Sequence, residues 1–137
     1  NVWISLDNDH NDLRTFLKYF TEAILQLFPD SLKKLHTIIN SSELPSVNSI
    51  CEELINALDI LEENYILVLD DYHMIQNEKI HKLISCLVKY PPENQHLVII
   101  SRTEPQFNFN ELRHTQNIAR VVECGSRERI FDTSGLL

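Results

Sequence analysis

Two adjacent carboxylates, Asp70 and Asp71, follow the continuous apolar run 66–69. Such a run predicts a β-strand covered on both faces, with the acids at its carboxyl end, where open α/β sheets bind ligands. In a nucleotide hydrolase the first acid would hold Mg²⁺, usually through water, and the second would polarise the attacking water. The alternative is that both acids only begin a loop or cap the next turn.

A second charged group, Arg102, follows another apolar run, 96–100. A permanent, forked cation at the carboxyl end of a strand suits phosphate oxygens. We predict that Arg102 contacts phosphate at the edge where the two acids lie. The alternative is a surface arginine that pairs with Glu104 or Glu111.

The acid pair also invites comparison with the receiver domains of two-component signalling. Those domains place a third Asp, the phosphoacceptor, after a later strand and a Lys after a further one. Here the next aspartate after Asp71 is Asp132, and the later strand ends in Ser101-Arg102. Both differences exclude the receiver interpretation.

Glycine and cysteine usage excludes two further kinds of site. The chain has 2 glycines, Gly125 and Gly135, so an internal glycine-rich phosphate loop is absent from it. The 3 cysteines (Cys51, Cys86 and Cys124) are far apart and form no C-x-x-C pair. They indicate a reducing, cytoplasmic setting and no zinc site.

The length and composition indicate one domain with its own hydrophobic core. At 137 residues the chain has the length of one ordinary domain, and 43% of it is hydrophobic. The 20 acidic and 12 basic residues give a net charge of −8, which argues against direct binding of nucleic acid. No apolar run has the ~18 residues that cross a bilayer, so no membrane contact is expected.

Elements that could position the charged groups alternate along the chain. Strands are predicted at 2–6, 65–69, 96–100 and 118–122, with helices between them that bury stripes such as Phe16 and Phe20. Trp3 is predicted to join the core, and Ser49 to begin a helix through a capping box. This alternation predicts an α/β fold with a mostly parallel sheet sandwiched by helices. We expect this domain over 1–123 and an irregular tail over 124–137, where the next segment would start.

The series of elements resembles a known family. It consists of the strand 2–6, a helix containing 16–20, the Asp70-Asp71-Tyr72-His73 element and the Ser101-Arg102 element. Together they are similar to the ATPase domain of the large LuxR-type regulators of the maltose-regulon-activator type. These regulators belong to the STAND class of P-loop ATPases. The resemblance covers about residues 2–123 and implies a P-loop NTPase-like fold of the ASCE type.

By this resemblance, Asp70 would be the Mg²⁺-associated acid of the Walker B strand and Asp71 the acid that orients water. Arg102 would be the sensor arginine that faces the phosphates. The resemblance implies ATP and Mg²⁺ as cofactors of the intact protein. It also implies a cytoplasmic regulator that self-associates or binds a partner protein, with a separate module contacting DNA.

The chain departs from this family in one respect. The P-loop strand and its Walker A segment should precede Val2 and are absent, so the domain is expected to be a fragment that is incomplete at that strand. We therefore predict no ATP hydrolysis and no tight ATP binding by this chain alone. The open edge of the 96–100 strand would need a cover, for which 118–122 is the candidate.

Two other functions stay open. One is a non-catalytic interaction module that keeps the fold without nucleotide chemistry. The other is an ATPase unit that regulates an attached kinase or another effector.

Overall fold

The computed structural model describes residues 1–103 completely, and the backbone of residues 120–124 and 128–132. The described part contains five strands: Val2–Ser5 (β1), Tyr65–Asp70 (β2), Gln95–Ser101 (β3), Arg120–Cys124 (β4) and Glu128–Asp132 (β5). It contains four α-helices: Leu13–Leu27 (α1), Lys33–Ile39 (α2), Val47–Asp59 (α3) and Glu78–Lys89 (α4). The 3₁₀ turns Asn8–Asn11 and Tyr72–Met74 follow β1 and β2.

The strands form one sheet in the order β1-β2-β3-β5-β4. β1, β2 and β3 are parallel, with Ile4 beside Leu69 and Leu69 beside Ile99. The predicted α/β class, a parallel sheet flanked by helices, is confirmed. Because parallel strands share a direction, the ends of β1, β2 and β3 lie at one edge of the sheet. That edge carries Asp70.

Helices α1 to α4 pack together, since each helix contacts the next along the chain and α1 also contacts α4. Helix α1 begins at the side chain of Asp12, which accepts a hydrogen bond from the Thr15 N–H at 3.0 Å. Its inner face buries Phe16, Phe20 and Ile24 against the sheet. Among the described helices, none combines the length and apolar character needed to cross a membrane.

Trp3 does not join the core, and its prediction as a core residue is wrong. Val2 and Ile4 of β1 are buried, whereas Trp3 between them is 59% exposed. Successive side chains of a strand point to opposite faces, so Trp3 lies on the face opposite to Val2 and Ile4. Ile66 of β2 is also exposed.

Strand β5 lies in the segment for which an irregular tail is predicted, so that expectation is wrong for Glu128–Asp132. β5 pairs with β3 antiparallel, and Ile99 lies beside Phe131. The other predicted strand in this region is displaced to Arg120–Cys124 and pairs with β5. The edge of β3 is therefore covered by β5, and 118–122 is not its cover. The sequence also predicts a short helix near 110–114, and this segment lies outside the described residues.

Arg14 of α1 fastens the end of α2. Its guanidinium donates to the backbone carbonyl of Ile39, to that of Ser41 at 2.7 Å and to that of Ser42 at 3.4 Å. The last carbonyls of a helix have no partner within the helix, so a cation there supplies both hydrogen bonds and charge.

Replacement of Arg14 by leucine is expected to lower the free energy of unfolding by about 1.5–3 kcal/mol, because charged hydrogen bonds are lost while the aliphatic bulk remains. Urea denaturation measures this change. The exposed Lys18→Leu on the same helix is the control and should shift the value by no more than about 0.5 kcal/mol. Equal losses in both variants would show that the carbonyl contacts contribute nothing.

Candidate functional site

The backbones of β1 and β2 pair through hydrogen bonds up to the carboxyl ends of both strands. Ser5 lies beside Asp70 in the register, and the Leu6 N–H donates to the Asp70 carbonyl at 3.0 Å. The next residue, Asp7, accepts a hydrogen bond from the Asp9 N–H at 2.9 Å and begins the first 3₁₀ turn. Two chain turns with acidic residues thus leave the sheet side by side at this edge.

Asp70 and Asp71 adopt different backbone conformations. The Asp71 N–H donates to Asp70 Oδ1 at 2.8 Å, which fixes the Asp70 carboxylate beside the chain. Asp71 has φ 56° and ψ 39°, the left-handed conformation that is uncommon for residues other than glycine. Its side chain makes no capping hydrogen bond to the turn Tyr72–Met74. Asp71 is therefore a half-buried residue that begins the turn without capping it through its side chain, and the alternative that the two acids only begin a loop stays open.

Arg102 follows β3 at the same edge, with an exposed side chain. Its backbone N–H donates to His73 Nδ1 at 3.2 Å, so the turn after the acid pair is tied to the end of β3. The structure thus places Arg102 and the acids on adjacent strand ends. Glu104 and Glu111, the alternative partners of Arg102, lie outside the described residues. His73 has a positioning role that the sequence did not reveal.

Asn11 connects the turn after β1 to the turn after β2. Its side chain donates to the Met74 carbonyl at 2.9 Å and accepts from the Gln76 N–H at 2.6 Å. Its own carbonyl accepts from Asn77 Nδ2 at 2.7 Å, while Asn77 Oδ1 caps α4 by accepting from the Lys79 N–H. Asn11 therefore fixes the segment that follows Asp70 and Asp71. From the sequence, Asn11 or Asp12 is available only as a cap for the helix that follows.

A buried side-chain pair, Tyr72 and His81, lies between the turn Tyr72–Met74 and helix α4. The Tyr72 hydroxyl lies 2.8 Å from His81 Nδ1, and both side chains are at most 5% exposed. Burial raises the pKa of Tyr72 above its ordinary range. Burial also lowers the pKa of His81, against the opposing effects of the Ile75 carbonyl and of Glu78. The neutral imidazole is therefore the form that fits the fold.

This shift predicts a loss of stability in mild acid. Because the folded state lowers the pKa of His81, the unfolded chain takes up the proton more readily. The free energy of unfolding should therefore fall as the pH drops below the ordinary histidine pKa of 6.5. Urea denaturation at about pH 7.5 and pH 5.5 measures the loss, and His81→Gln should reduce its size. A pH dependence unchanged in His81→Gln would assign the loss to other groups.

The carboxylates at the carboxyl ends of the strands suit a metal ion that is bound together with a phosphate ligand. Within residues 1–103 and the two described strands beyond, no three His, Cys, Asp or Glu side chains converge as a metal cage. Mg²⁺ commonly uses one or two carboxylates and takes its other ligands from water and substrate phosphates. Asp70, a half-buried carboxylate whose Oδ1 accepts from the Asp71 N–H, is a ligand of the kind that this mode uses.

A separate cavity of about 900 Å³ lies among the first turns of α1, α3 and α4. Asp12, Asn77 and Lys82 are among the residues that line it, and the acid pair and Arg102 are not. The acid pair and Arg102 therefore lie outside this cavity.

Comparison with curated proteins finds relatives of one kind. Over 129 residues, the chain is 30% identical to the HTH-type transcriptional regulator MalT of Klebsiella pneumoniae. The chain is homologous to a segment of MalT. MalT of Vibrio cholerae is 28% identical over 131 residues. The matches cover 94% and 96% of this chain, but the chain spans 14% of the length of each relative. No protein-family model matches the chain.

Proposed function

We propose that this chain forms part of the ATP-binding regulatory domain of a bacterial transcriptional regulator. In this proposal Asp70 associates with Mg²⁺, Asp71 orients the attacking water and Arg102 contacts the phosphates. The observation that carries it is the arrangement at one sheet edge, where the acid pair and Arg102 occupy adjacent strand ends joined through His73. The left-handed Asp71 supports a chemical role, because strained backbones concentrate at functional sites.

Homology supports the regulatory part of the proposal. MalT is an HTH-type transcriptional regulator, and its similarity to this chain covers nearly all of the chain. The net charge of −8 suits a segment that does not itself touch DNA and leaves that contact to a separate module. The intact regulator would act in the cytoplasm and self-associate or bind a partner protein.

The chain by itself is expected to bind ATP weakly, because it has no glycine-rich loop to surround the phosphates. The decisive comparison is a titration of two proteins with Mg-ATP. One is this chain, and the other is a longer form that also contains the residues encoded upstream of it. Tight binding is expected only in the longer form. Tight Mg-ATP binding by the short form, lost in Asp70→Ala, would contradict this assignment of roles.

In the longer form, Arg102→Ala is expected to weaken Mg-ATP binding about 10- to 100-fold, since charged hydrogen bonds to phosphate are lost. Arg102→Lys should recover part of the affinity, because it keeps the charge and loses the forked geometry. Isothermal titration calorimetry measures both effects. The exposed Lys33→Ala on α2 removes the same charge away from the edge and should bind ATP normally. Normal Mg-ATP binding by Arg102→Ala would show that Arg102 is not part of the proposed site.

A further inference from the structure

A groove of about 420 Å³ lies between the carboxyl end of α1 and the carboxyl end of α3, on the side of the molecule where the parallel strands begin. Helix α1 runs away from the carboxyl edge after β1, and α3 ends just before β2 begins, so both helices end near the amino ends of the strands. The groove is therefore remote from Asp70 and Asp71. Its properties are independent of the proposed nucleotide chemistry.

The floor of the groove is apolar and held in place. Ile60 is 73% exposed and Leu27 is 42% exposed, whereas Leu61, which also lines the groove, is buried. Phe28 packs edge-on against Tyr65, with ring centroids 5.5 Å apart. A side chain from another molecule could cover Ile60 and Leu27 without disturbing this supported floor.

The rim of the groove is negatively charged. Asp30, Glu62 and Glu63 are exposed lining residues, and within the described residues no lysine or arginine lines the groove. The last turns of α1 and α3 also lack a basic residue. Helix carboxyl ends carry partial negative charge, which nearby cations usually offset. The carboxylates and both helix ends therefore favour a positively charged ligand.

We propose that this groove binds a segment of a partner protein in which an apolar side chain is flanked by lysine or arginine. The apolar side chain covers Ile60 and Leu27, and the cations meet Glu62, Glu63 and the helix ends. A second copy of this chain is a poorer occupant, because it brings a net charge of −8. An anionic membrane surface would likewise be repelled by the acidic rim.

A matched pair of synthetic helical peptides tests the proposal on the 137-residue chain. One peptide contains only leucine and lysine, and the other has glutamate in place of each lysine. The Leu/Lys peptide should bind, more weakly as salt is raised, and should shift the amide NMR signals of residues 27, 28, 30, 31 and 60–63. The Leu/Glu peptide should not bind.

Variants then distinguish the groove from general attraction. Ile60→Ser should weaken binding about tenfold or more, and so should Glu62→Lys with Glu63→Lys. The control Glu43→Lys with Glu52→Lys makes the same change in charge at exposed positions outside the groove and should bind normally. Trp3→Ser removes an exposed apolar side chain outside the groove and should also bind normally.

Three results would overturn the proposal. Equal losses in the groove and control variants would show attraction to charge alone. Signal shifts centred on Trp3 would move the binding surface to the sheet. Self-association of the chain that Ile60→Ser abolishes, measured by sedimentation, would make a second copy the occupant.

Discussion

In the longer form of the protein, which also contains the residues encoded upstream of this chain, Asp71→Asn is expected to lower ATP turnover about 100-fold or more. The affinity for Mg-ATP should change little. The proposed role of Asp71 is to orient and polarise the attacking water, an interaction that matters in the transition state. Asparagine has nearly the same shape but no negative charge. Steady-state release of phosphate, together with calorimetric ATP binding, separates turnover from affinity.

The choice of asparagine matters because of the backbone at Asp71. Its φ of 56° disfavours most replacements, and asparagine, like aspartate, tolerates the left-handed region. Alanine would add backbone strain to the loss of charge, so Asp71→Ala would not isolate the carboxylate. Asp71→Gly is the matched control for the backbone, because glycine accepts this conformation and also lacks the charge. Turnover should fall similarly in Asp71→Asn and Asp71→Gly.

Asp70→Asn should give a different profile. Its proposed role with Mg²⁺ predicts weaker Mg-ATP binding and a higher Mg²⁺ requirement, in addition to slower turnover. Normal turnover in both Asp70→Asn and Asp71→Asn would contradict the nucleotide proposal. If the longer protein also regulated transcription normally with these variants and with Arg102→Ala, the non-catalytic interaction module would be the better account.

The order of elements could be predicted from the sequence because each element contains its own periodic signal. The apolar runs of β2 and β3 and the helical spacing of Phe16 and Phe20 depend on neighbours in the chain. Since parallel strands end at one edge, the shared placement of Asp70 and Arg102 followed from the same pattern. The distance between their charged groups did not, because it depends on side-chain orientation.

Boundaries and faces were less predictable. Helix α3 begins one turn earlier than the Ser49 capping box indicated, because Ser46 accepts the hydrogen bond from the Ser49 N–H. Trp3 alternates with Val2 and Ile4, but periodicity alone does not say which face of an edge strand the helices cover. Strand β5 was missed because its polar residues suggested a tail, although Ile130 and Phe131 lie among them.

The supporting contacts of the site could not be predicted from the sequence at all. Asn11 bonds to Met74 and Gln76, which are 63 and 65 residues further along the chain. His73 bonds to Arg102 across 29 residues. Such pairs have no local signature, since any polar residue in either turn could have made them. They depend on the sheet having already brought the strand ends together.

Asn11→Ala is therefore expected to lower the free energy of unfolding by about 2–3 kcal/mol, a large effect for a polar residue in a turn. The substitution leaves the Gln76 N–H and the Met74 carbonyl without their partner. Asn11→Asp should lose less, because it keeps an acceptor for Gln76 and lacks only the amide donor that serves Met74 and Asn8. Urea denaturation ranks the variants, and the exposed Asn64→Ala controls for the loss of an asparagine elsewhere.

Hydrogen exchange separates a local from a global effect of Asn11→Ala. The Gln76 amide should lose protection by more than the overall fall in stability explains, while amides in β2 and β3 should follow that fall. The segment after Asp70 and Asp71 would then open independently of the sheet. Gln76 protection that only tracks the global stability would show that Asn11 does not hold this turn. In that case the acid pair would owe its position to β2 and to the contact between His73 and Arg102.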